Sequence, residues 1–410
     1  MGTLDAVSLR TDNEKPTADQ LNELLEELIV LFNGGLPASA MTWPMVAEGA
    51  LDMAGHPILN AASLGGAIRV NEDQTLLQAV TAVNSAGGGV ILVDANYTAN
   101  TSTSPLVITA DNVSILGYGR SSNIHCVDLV APGVSIKVTG NNFVMRDIGV
   151  TCATSITNMT EMISLEGVVG YLVDGVHFDT PQVAGLKLGT GAAISHNGMV
   201  TRVSGEDAVA SFISIGGIRL ATIAQCVFDE AGTTAIVLPV TDTCTQLSIS
   251  SNIFLSSGGA SAIEGGPTVV NGSLASLTIS GNIISCGSNL ALDAGLFQQY
   301  TISGNTIQGN VAYAGTKSSL TGNVLIGDIE VDEADAAIVS NNYISGTFSI
   351  VDTTCTACTL SGNNIVDTVV FPATSGFDIV TGNRCSGAFT ALTSSDVEVY
   401  DNNYAVGGTT

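Results

Sequence analysis

From about residue 140 onward, apolar and polar residues alternate in short runs, and the runs repeat. Leu277-Thr278-Ile279-Ser280-Gly281-Asn282-Ile283-Ile284 is answered by Tyr300-Thr301-Ile302-Ser303-Gly304-Asn305-Thr306-Ile307. Shorter copies end in the same way at Asn323, Asn342, Asn363, Asn383 and Asn402, and Asn252 precedes the series. Successive asparagines from 252 to 402 are separated by 30, 23, 18, 19, 21, 20 and 19 residues. Upstream, Asp147, Gly175, Arg202 and Cys226 occupy weaker cognate positions. A period of two puts Val, Ile and Leu on one face and Thr and Ser on the other. Such a repeat, without a helical period, predicts the stacked coils of an all-β parallel β-helix solenoid. A leucine-rich repeat would need a helix in each copy, and none is present. Asparagine is expected in the turns because it tolerates left-handed backbone angles. Stacked in register, Asn252, Asn282, Asn305, Asn323, Asn342, Asn363, Asn383 and Asn402 are expected to form a hydrogen-bonded ladder.

The helical period appears twice, both times before the repeat. Residues 17–33 carry Leu21, Leu24, Leu28 and Leu31 at the spacing of a coiled-coil seam, with Thr17 as N-cap and Asn33-Gly34-Gly35 as the stop. Two heptads do not stand alone in water, so this helix needs company, from its own chain or from copies of itself; a trimeric bundle is preferred. The second helix begins at Asp73 or Thr75, runs through Leu76, Leu77, Ala79, Val80, Ala82 and Val83, and stops at Gly87-Gly88-Gly89. The expected division is an N-terminal anchoring and oligomerisation region, 1–70, and a β-helix domain, 71–410.

Two segments carry resemblances. Leu51-Asp52-Met53-Ala54-Gly55-His56-Pro57-Ile58-Leu59-Asn60 resembles a short segment common near the N-termini of bacteriophage tail-fibre proteins. The helix after residue 73, the strand Val90-Ile91-Leu92-Val93 and Asn112–Arg120 together resemble the opening of the pectate-lyase-like superfamily. That resemblance implies a right-handed β-helix whose open end is closed by a helix. The physics agrees, since an uncovered solenoid end exposes apolar rungs and unpaired strand edges.

Composition narrows the partners. The formal charge is −26, with 11 Lys+Arg against 37 Asp+Glu in 410 residues. So few cations cannot neutralise a phosphate backbone or an anionic membrane, so no nucleic acid and no membrane insertion are expected. No secretory signal is visible in the first residues, and no apolar run reaches membrane-spanning length. Synthesis in a host cytoplasm followed by work outside the cell fits a virion protein. Of eight cysteines only Cys355 and Cys358 form a CxxC, without a second pair or a nearby His for zinc. Small buried hydrophobes are the expected role of all eight.

Candidate chemistry falls into one column. Asp179, with His177, follows Gly175 by a few residues; Glu206 and Asp207 follow Arg202; Asp229 and Glu230 follow Cys226. Similar offsets place these groups near one edge of three successive coils. Paired carboxylates on neighbouring coils are what glycoside cleavage requires, one as acid and the other as base or nucleophile. The same column is compatible with bound Ca²⁺ or with a solvated acidic edge. A lyase would need a basic proton abstractor, for which Arg202 is the candidate; His177 is expected to be a surface turn residue. Asp328, Asp332, Glu333 and Asp335 read as a solvated acidic turn. No Ser–His–Asp motif is recognisable, and no cofactor is expected beyond Ca²⁺.

The resulting expectation is a tailspike-like or tail-fibre-like virion appendage, homotrimeric, held to other virion proteins by its N-terminus and facing host-surface polysaccharide. A polysaccharide depolymerase using the acidic edge and a capsid decoration or head fibre are the alternatives. The sequence ends almost on its last repeat, so no separate C-terminal adhesin domain is expected.

Overall fold

The computed structural model describes residues 67–229, 231–238, 244–255, 261–265, 276–297, 299–350, 355, 357–371, 377–388, 398–400 and 403–404. The helix expected over 17–33, with Leu21, Leu24, Leu28 and Leu31, lies outside them, as do Glu230 and Asn402. The described chain is a right-handed parallel β-helix, in which every strand pairing is parallel. It opens with β1 (Ala67–Val70), α1 (Leu76–Ala86), β2 (Gly89–Val93), β3 (Tyr97–Asn100) and β4 (Leu106–Ile108). The first described strand therefore precedes residue 71, and β1 pairs with β2 from Ala67↔Val90 to Val70↔Val93.

Helix α1 begins at Thr75 rather than Asp73. The Thr75 hydroxyl accepts from Gln78 N while the Gln78 side chain accepts from Thr75 N, a reciprocal capping box. Gly87, at φ 77°, ends the helix in the left-handed conformation that a residue without Cβ adopts most easily. Leu76, Ala79, Val80 and Val83 form its buried face, which packs on β1, β2 and β4 and closes the first coil.

Next come β5 (Val113–Cys126), β6 (Gly133–Val138), β7 (Phe143–Cys152), β8 (Met159–Leu165), β9 (Val169–Asp174) and β10 (His177–Asp179). They are followed by β11 (Ala184–Leu188), β12 (Ser195–Thr201), β13 (Ser204–Glu206), β14 (Ile213–Ile215), β15 (Ile218–Ala224) and β16 (Val227–Asp229). Each coil contributes one strand to each of three sheet faces. β8, β11 and β14 stack on the first face, β9, β12 and β15 on the second, and β10, β13 and β16 on the third. The long strands β5 and β7 run through the corner between the second and third faces. Inside, apolar columns climb from coil to coil, for instance Met145, Val173, Val200, Ile223, Ile249, Ile279 and Ile302, all buried. The rings of Phe212 and Phe228 stack at a centroid distance of 5.3 Å, and Phe254 meets Phe228 in a tilted contact at 5.5 Å.

The corner between the second and third faces explains the asparagine repeat and corrects its register. The left-handed residue is the one before each asparagine: Ser251, Gly281, Gly304, Gly322, Asn341, Gly362 and Gly382 all have φ between 56° and 65°. The asparagine itself points inward and is buried. Each Oδ1 accepts from both the backbone N–H and the side-chain amide of the asparagine one coil earlier. Asn282 N and Nδ2 lie 2.9 and 3.0 Å from Asn305 Oδ1, and the pattern runs unbroken from Asn252 to Asn383. Nδ2 also donates to a carbonyl of the preceding coil, as Asn305 does to Ile279 O at 3.0 Å. Upstream, Asp147, Gly175 and Arg202 occupy the left-handed column, with φ 50°, 63° and 50°, together with Gln225 at 56°. The true cognates of the asparagines are thus Ile148, Val176, Val203 and Cys226. Cys226 N donates to Asn252 Oδ1, which starts the ladder.

Candidate functional site

Strand register puts the predicted carboxylates into rows. On the third face His177 pairs with Ser204, Phe178 with Gly205 and Asp179 with Glu206; Ser204 and Gly205 pair in turn with Val227 and Phe228. Because alternate residues face opposite sides, Phe178, Gly205 and Phe228 point into the core, and their neighbours face outward. One outer column is therefore Asn123, Gly149, His177, Ser204 and Val227; the other is His125, Thr151, Asp179, Glu206 and Asp229. Asp179, Glu206 and Asp229 share the second column, about 5 Å apart per coil by strand spacing. Asp207 sits one residue past it, exposed and left-handed at φ 53°.

The side chains converge further than the sequence suggested. His177 is buried rather than a surface turn residue, with only 7% of its surface exposed. Its Nδ1 lies 2.9 Å from Ser204 Oγ and its Nε2 3.1 Å from Glu206 Oε1. Arg120 reaches over from the irregular stretch of β5 to place Nη1 3.2 Å from the same Glu206 oxygen. A carboxylate oxygen paired with a guanidinium accepts hydrogen bonds, so the His177 proton is assigned to Nε2. Nδ1 is then the acceptor, and the Ser204 hydroxyl donates to it. Burial, reinforced by the Arg120 charge, lowers the His177 pKa from its ordinary value near 6.5, against the opposing pull of Glu206 and Asp179. The imidazole is neutral at pH 7.

Beside this row, Asn123 Nδ2 and His125 Nδ1 contact Thr151 Oγ1 at 3.1 and 3.0 Å, and the Thr180 hydroxyl donates to Asp179 Oδ1 at 2.8 Å. Gly149 leaves a gap in the first column between Asn123 and His177. Asn123 Oδ1, buried beside that gap, has no hydrogen-bond partner.

Arg202 is not the base of this site. Its Nε lies 2.6 Å from Asp174 Oδ1 and its Nη2 2.5 Å from Asp174 Oδ2, on the second face and not toward Glu206. Arg146 Nε approaches Asp174 Oδ2 at 3.0 Å. Burial of Asp174 works to raise its pKa, but Arg202 and then Arg146 outweigh it and hold the carboxyl below its ordinary value. The Asp174 hydrogen bond raises the Arg202 pKa, which fixes that guanidinium as a structural cation. The sequence-predicted turn at Asp328–Asp335 is instead largely the strand Ile329–Asp335. Asp328 serves the backbone there, accepting from Thr347 N at 2.8 Å.

Among the described residues no group of three or more His, Cys, Asp or Glu side chains is arranged to hold a metal ion. Of the eight cysteines all but Cys152 are buried, and Cys126, Cys152, Cys226, Cys244, Cys286 and Cys385 are free thiols. Burial pushes Cys126, Cys226 and Cys244 up to about 12 and Cys286 to about 11, so these are thiols at neutral pH, not nucleophilic thiolates. No helix among the described residues is long and apolar enough to cross a membrane.

No family model and no curated protein matches the sequence. Solved structures with the same architecture do. A mannuronic-acid-specific polysaccharide family 6 lyase from the human gut microbiota superposes with a TM-score of 0.56 at 11% identity, covering 80% of this chain and 86% of the lyase. Tailspike protein 3 of bacteriophage CBA120 gives 0.50 at 13%, over 94% of this chain and 67% of the tailspike. The catalytic domain of a GH87 α-1,3-glucanase gives 0.52 at 13%, over 82% and 69%. At such identities the likeness is one of fold.

Proposed function

We propose that the chain is the glycan-facing β-helix of a virion surface appendage, similar to a tailspike or tail fibre. In this reading it is made in the host cytoplasm, acts outside the cell on the assembled particle, and is held to other virion proteins by residues 1–70. The observation that carries the reading is the gathering of Arg120, of His177 and Asp179 on β10, and of Glu206 on β13, three coils in all, on one strip of the third face of a stiff solenoid. A planar guanidinium and carboxylates on a rigid backbone offer hydroxyl-rich ligands paired donors and acceptors at fixed spacing. The fold shared with a phage tailspike and with polysaccharide-active enzymes is consistent with that use.

Homotrimer formation belongs to the same proposal. Farther along the third face the outer columns carry many exposed apolar residues: Val227, Leu255, Ile283, Val324, Ile326 and Tyr343 are each 39 to 51% exposed. Five coil steps join Val227 to Tyr343, about 24 Å at the usual strand spacing. Exposed apolar residues recurring at this density, broken by Thr306 in one column and by Ser285 and Gln308 in the other, favour protein contact, and copies joined side by side would multiply weak sugar contacts.

A second reading, depolymerisation, is favoured by one observation, the direct pairing of Asp179 with Glu206 across adjacent strands. Cleavage of a glycosidic bond also requires a carboxyl proton donor. Glu206 Oε1 already accepts from Arg120 and His177, so the donor would have to be Asp179. Purified protein incubated with intact host-surface polysaccharide tests both readings. Retention of polysaccharide that Arg120→Ala weakens supports attachment, and release of reducing sugar that Asp179→Asn abolishes supports cleavage. Absence of any retention by hosts that adsorb the particle would overturn the glycan assignment and leave a capsid decoration.

A further inference from the structure

We propose that Ser204, His177 and Glu206 form a nucleophilic relay that removes small acyl groups, such as O-acetyl esters, from a glycan lying on the third face. The glycan part rests on the preceding reading; the relay rests on its own geometry. Three residues on two adjacent strands stand in the order hydroxyl, imidazole, carboxylate, with 2.9 Å from Ser204 Oγ to His177 Nδ1 and 3.1 Å from His177 Nε2 to Glu206 Oε1. That order activates a serine: a neutral imidazole takes the hydroxyl proton, and a carboxylate orients the ring and stabilises the imidazolium. Arg120 holds the carboxylate from outside. The ring nitrogens are used in the reverse sense to the familiar serine hydrolases, which the flat outer face of the sheet explains. His177 and Ser204 are Cα partners, so Ser204 meets the nearer nitrogen, while Glu206, two residues along the same strand, meets the farther one.

The chemistry balances with water as the second substrate. Ser204 Oγ attacks the ester carbonyl as its proton passes to His177 Nδ1. The tetrahedral intermediate expels the sugar oxygen, which recovers that proton from His177, leaving Ser204 acylated. Water, deprotonated by the same nitrogen, attacks the acyl-serine; carboxylic acid leaves, and the proton returns to Ser204. Arg120 donates one N–H to Glu206 and so keeps that carboxylate ionised and in place beside His177. Val227, Cα-paired to Ser204 and 39% exposed, gives a short acyl chain an apolar wall. Ser204 itself is half-buried, at the edge of the solvent-facing surface.

The test uses the full chain with p-nitrophenyl acetate and, separately, a fluorophosphonate that labels activated serines. The expected results are ester turnover that Ser204→Ala lowers by about a hundredfold or more, and phosphonylation mapped by mass spectrometry to Ser204. Glu206→Gln should lower kcat more than it raises KM and shift the rising limb of the pH–rate profile, which a purely structural Glu206 would not do. Equal turnover by the native protein and Ser204→Ala, or a phosphonylated peptide lacking Ser204, overturns the relay, and so does the absence of any adduct. The mapping needs no variant, so a misfolded Ser204→Ala does not obscure it. Acetate release from O-acetylated polysaccharide then addresses the glycan: ester turnover without acetate release or binding rejects the glycan and keeps the relay.

Discussion

The Phe212 ring fills the space that a side chain at position 205 would occupy: a Cβ built on Gly205 would lie 2.2 Å from Phe212 Cε1. Gly205 is the inward residue between Ser204 and Glu206, so the local backbone that presents both is packed against the ring of Phe212, the residue just before β14. Gly205→Ala should therefore overpack the coil and cost roughly 1–3 kcal/mol, read as a lower Tm. It should also displace Ser204 and Glu206 and lower any activity more than the loss of folded protein explains. A Gly205→Ala, Phe212→Leu double variant should recover part of both losses, since the shorter side chain vacates the contested space.

The asparagine ladder makes a second, separable prediction. Asn305→Ala removes the oxygen that accepts from Asn282 N and Nδ2, and the amide that donates to Ile279 O and Asn323 Oδ1. Each buried group left unpaired costs roughly 1–3 kcal/mol, so thermal unfolding should shift to a clearly lower temperature. Asn305→Asp, nearly isosteric, should be at least as damaging, because it buries a carboxylate whose second oxygen faces Ile279 O and Asn323 Oδ1, acceptors that the amide had satisfied. Unfolding midpoints of the two variants against the native protein decide this. A native-like midpoint for Asn305→Asp would mean the ladder contributes little.

The repeat made the solenoid legible because asparagine, glycine and alternating apolar residues recur wherever the corner must turn. It concealed the upstream register, because the first coils fill the inward corner position with Ile148, Val176 and Val203, leaving only the left-handed residue as a marker. Asp147, Gly175 and Arg202 therefore stand one residue before the asparagine position. The spacing still held the site: Gly175 to Arg202 is 27 residues, and the same step carries His177 to Ser204 and Asp179 to Glu206. Ser204 carries no such signal, because a serine in a Ser- and Thr-rich outer column does not stand out as His177 and the carboxylates do. Arg120 was not recoverable in this way, since the register of β5 against β7 breaks between Leu116 and Asn123.

Two titrations should separate in a stability–pH profile. The folded state lowers the His177 pKa from its ordinary 6.5, so folding favours the neutral ring. That contribution is present above pH 6.5 and is lost as pH falls from there toward the lowered folded value, below which it no longer changes. Asp174 is likewise lowered, from 3.8; its stabilisation is kept above that value and lost below it. Tm measured against pH should therefore fall below 6.5 in the native protein. His177→Gln should flatten that first decline and leave the acid limb below pH 4 in place. A variant that retains the whole slope near pH 6 would assign it to another group.

The apolar run on the third face leads to the last prediction. Ile283 is 51% exposed, and its column neighbours on the adjacent coils are Ile253 and Thr306. Nothing charged lies at those three positions, whereas the chain as a whole carries a formal −26, which would drive copies apart unless apolar contact offset it. A carboxylate introduced there adds both a desolvation cost and repulsion between copies, while leaving each solenoid intact because the position faces outward. Ile283→Asp should thus lower the mass measured by sedimentation toward a single chain with no change in Tm at high dilution. Raised salt should partly restore assembly by screening the repulsion. An unchanged mass would move the contact surface elsewhere, to the N-terminal heptads of Leu21, Leu24, Leu28 and Leu31, where truncation of residues 1–59 is the matching measurement.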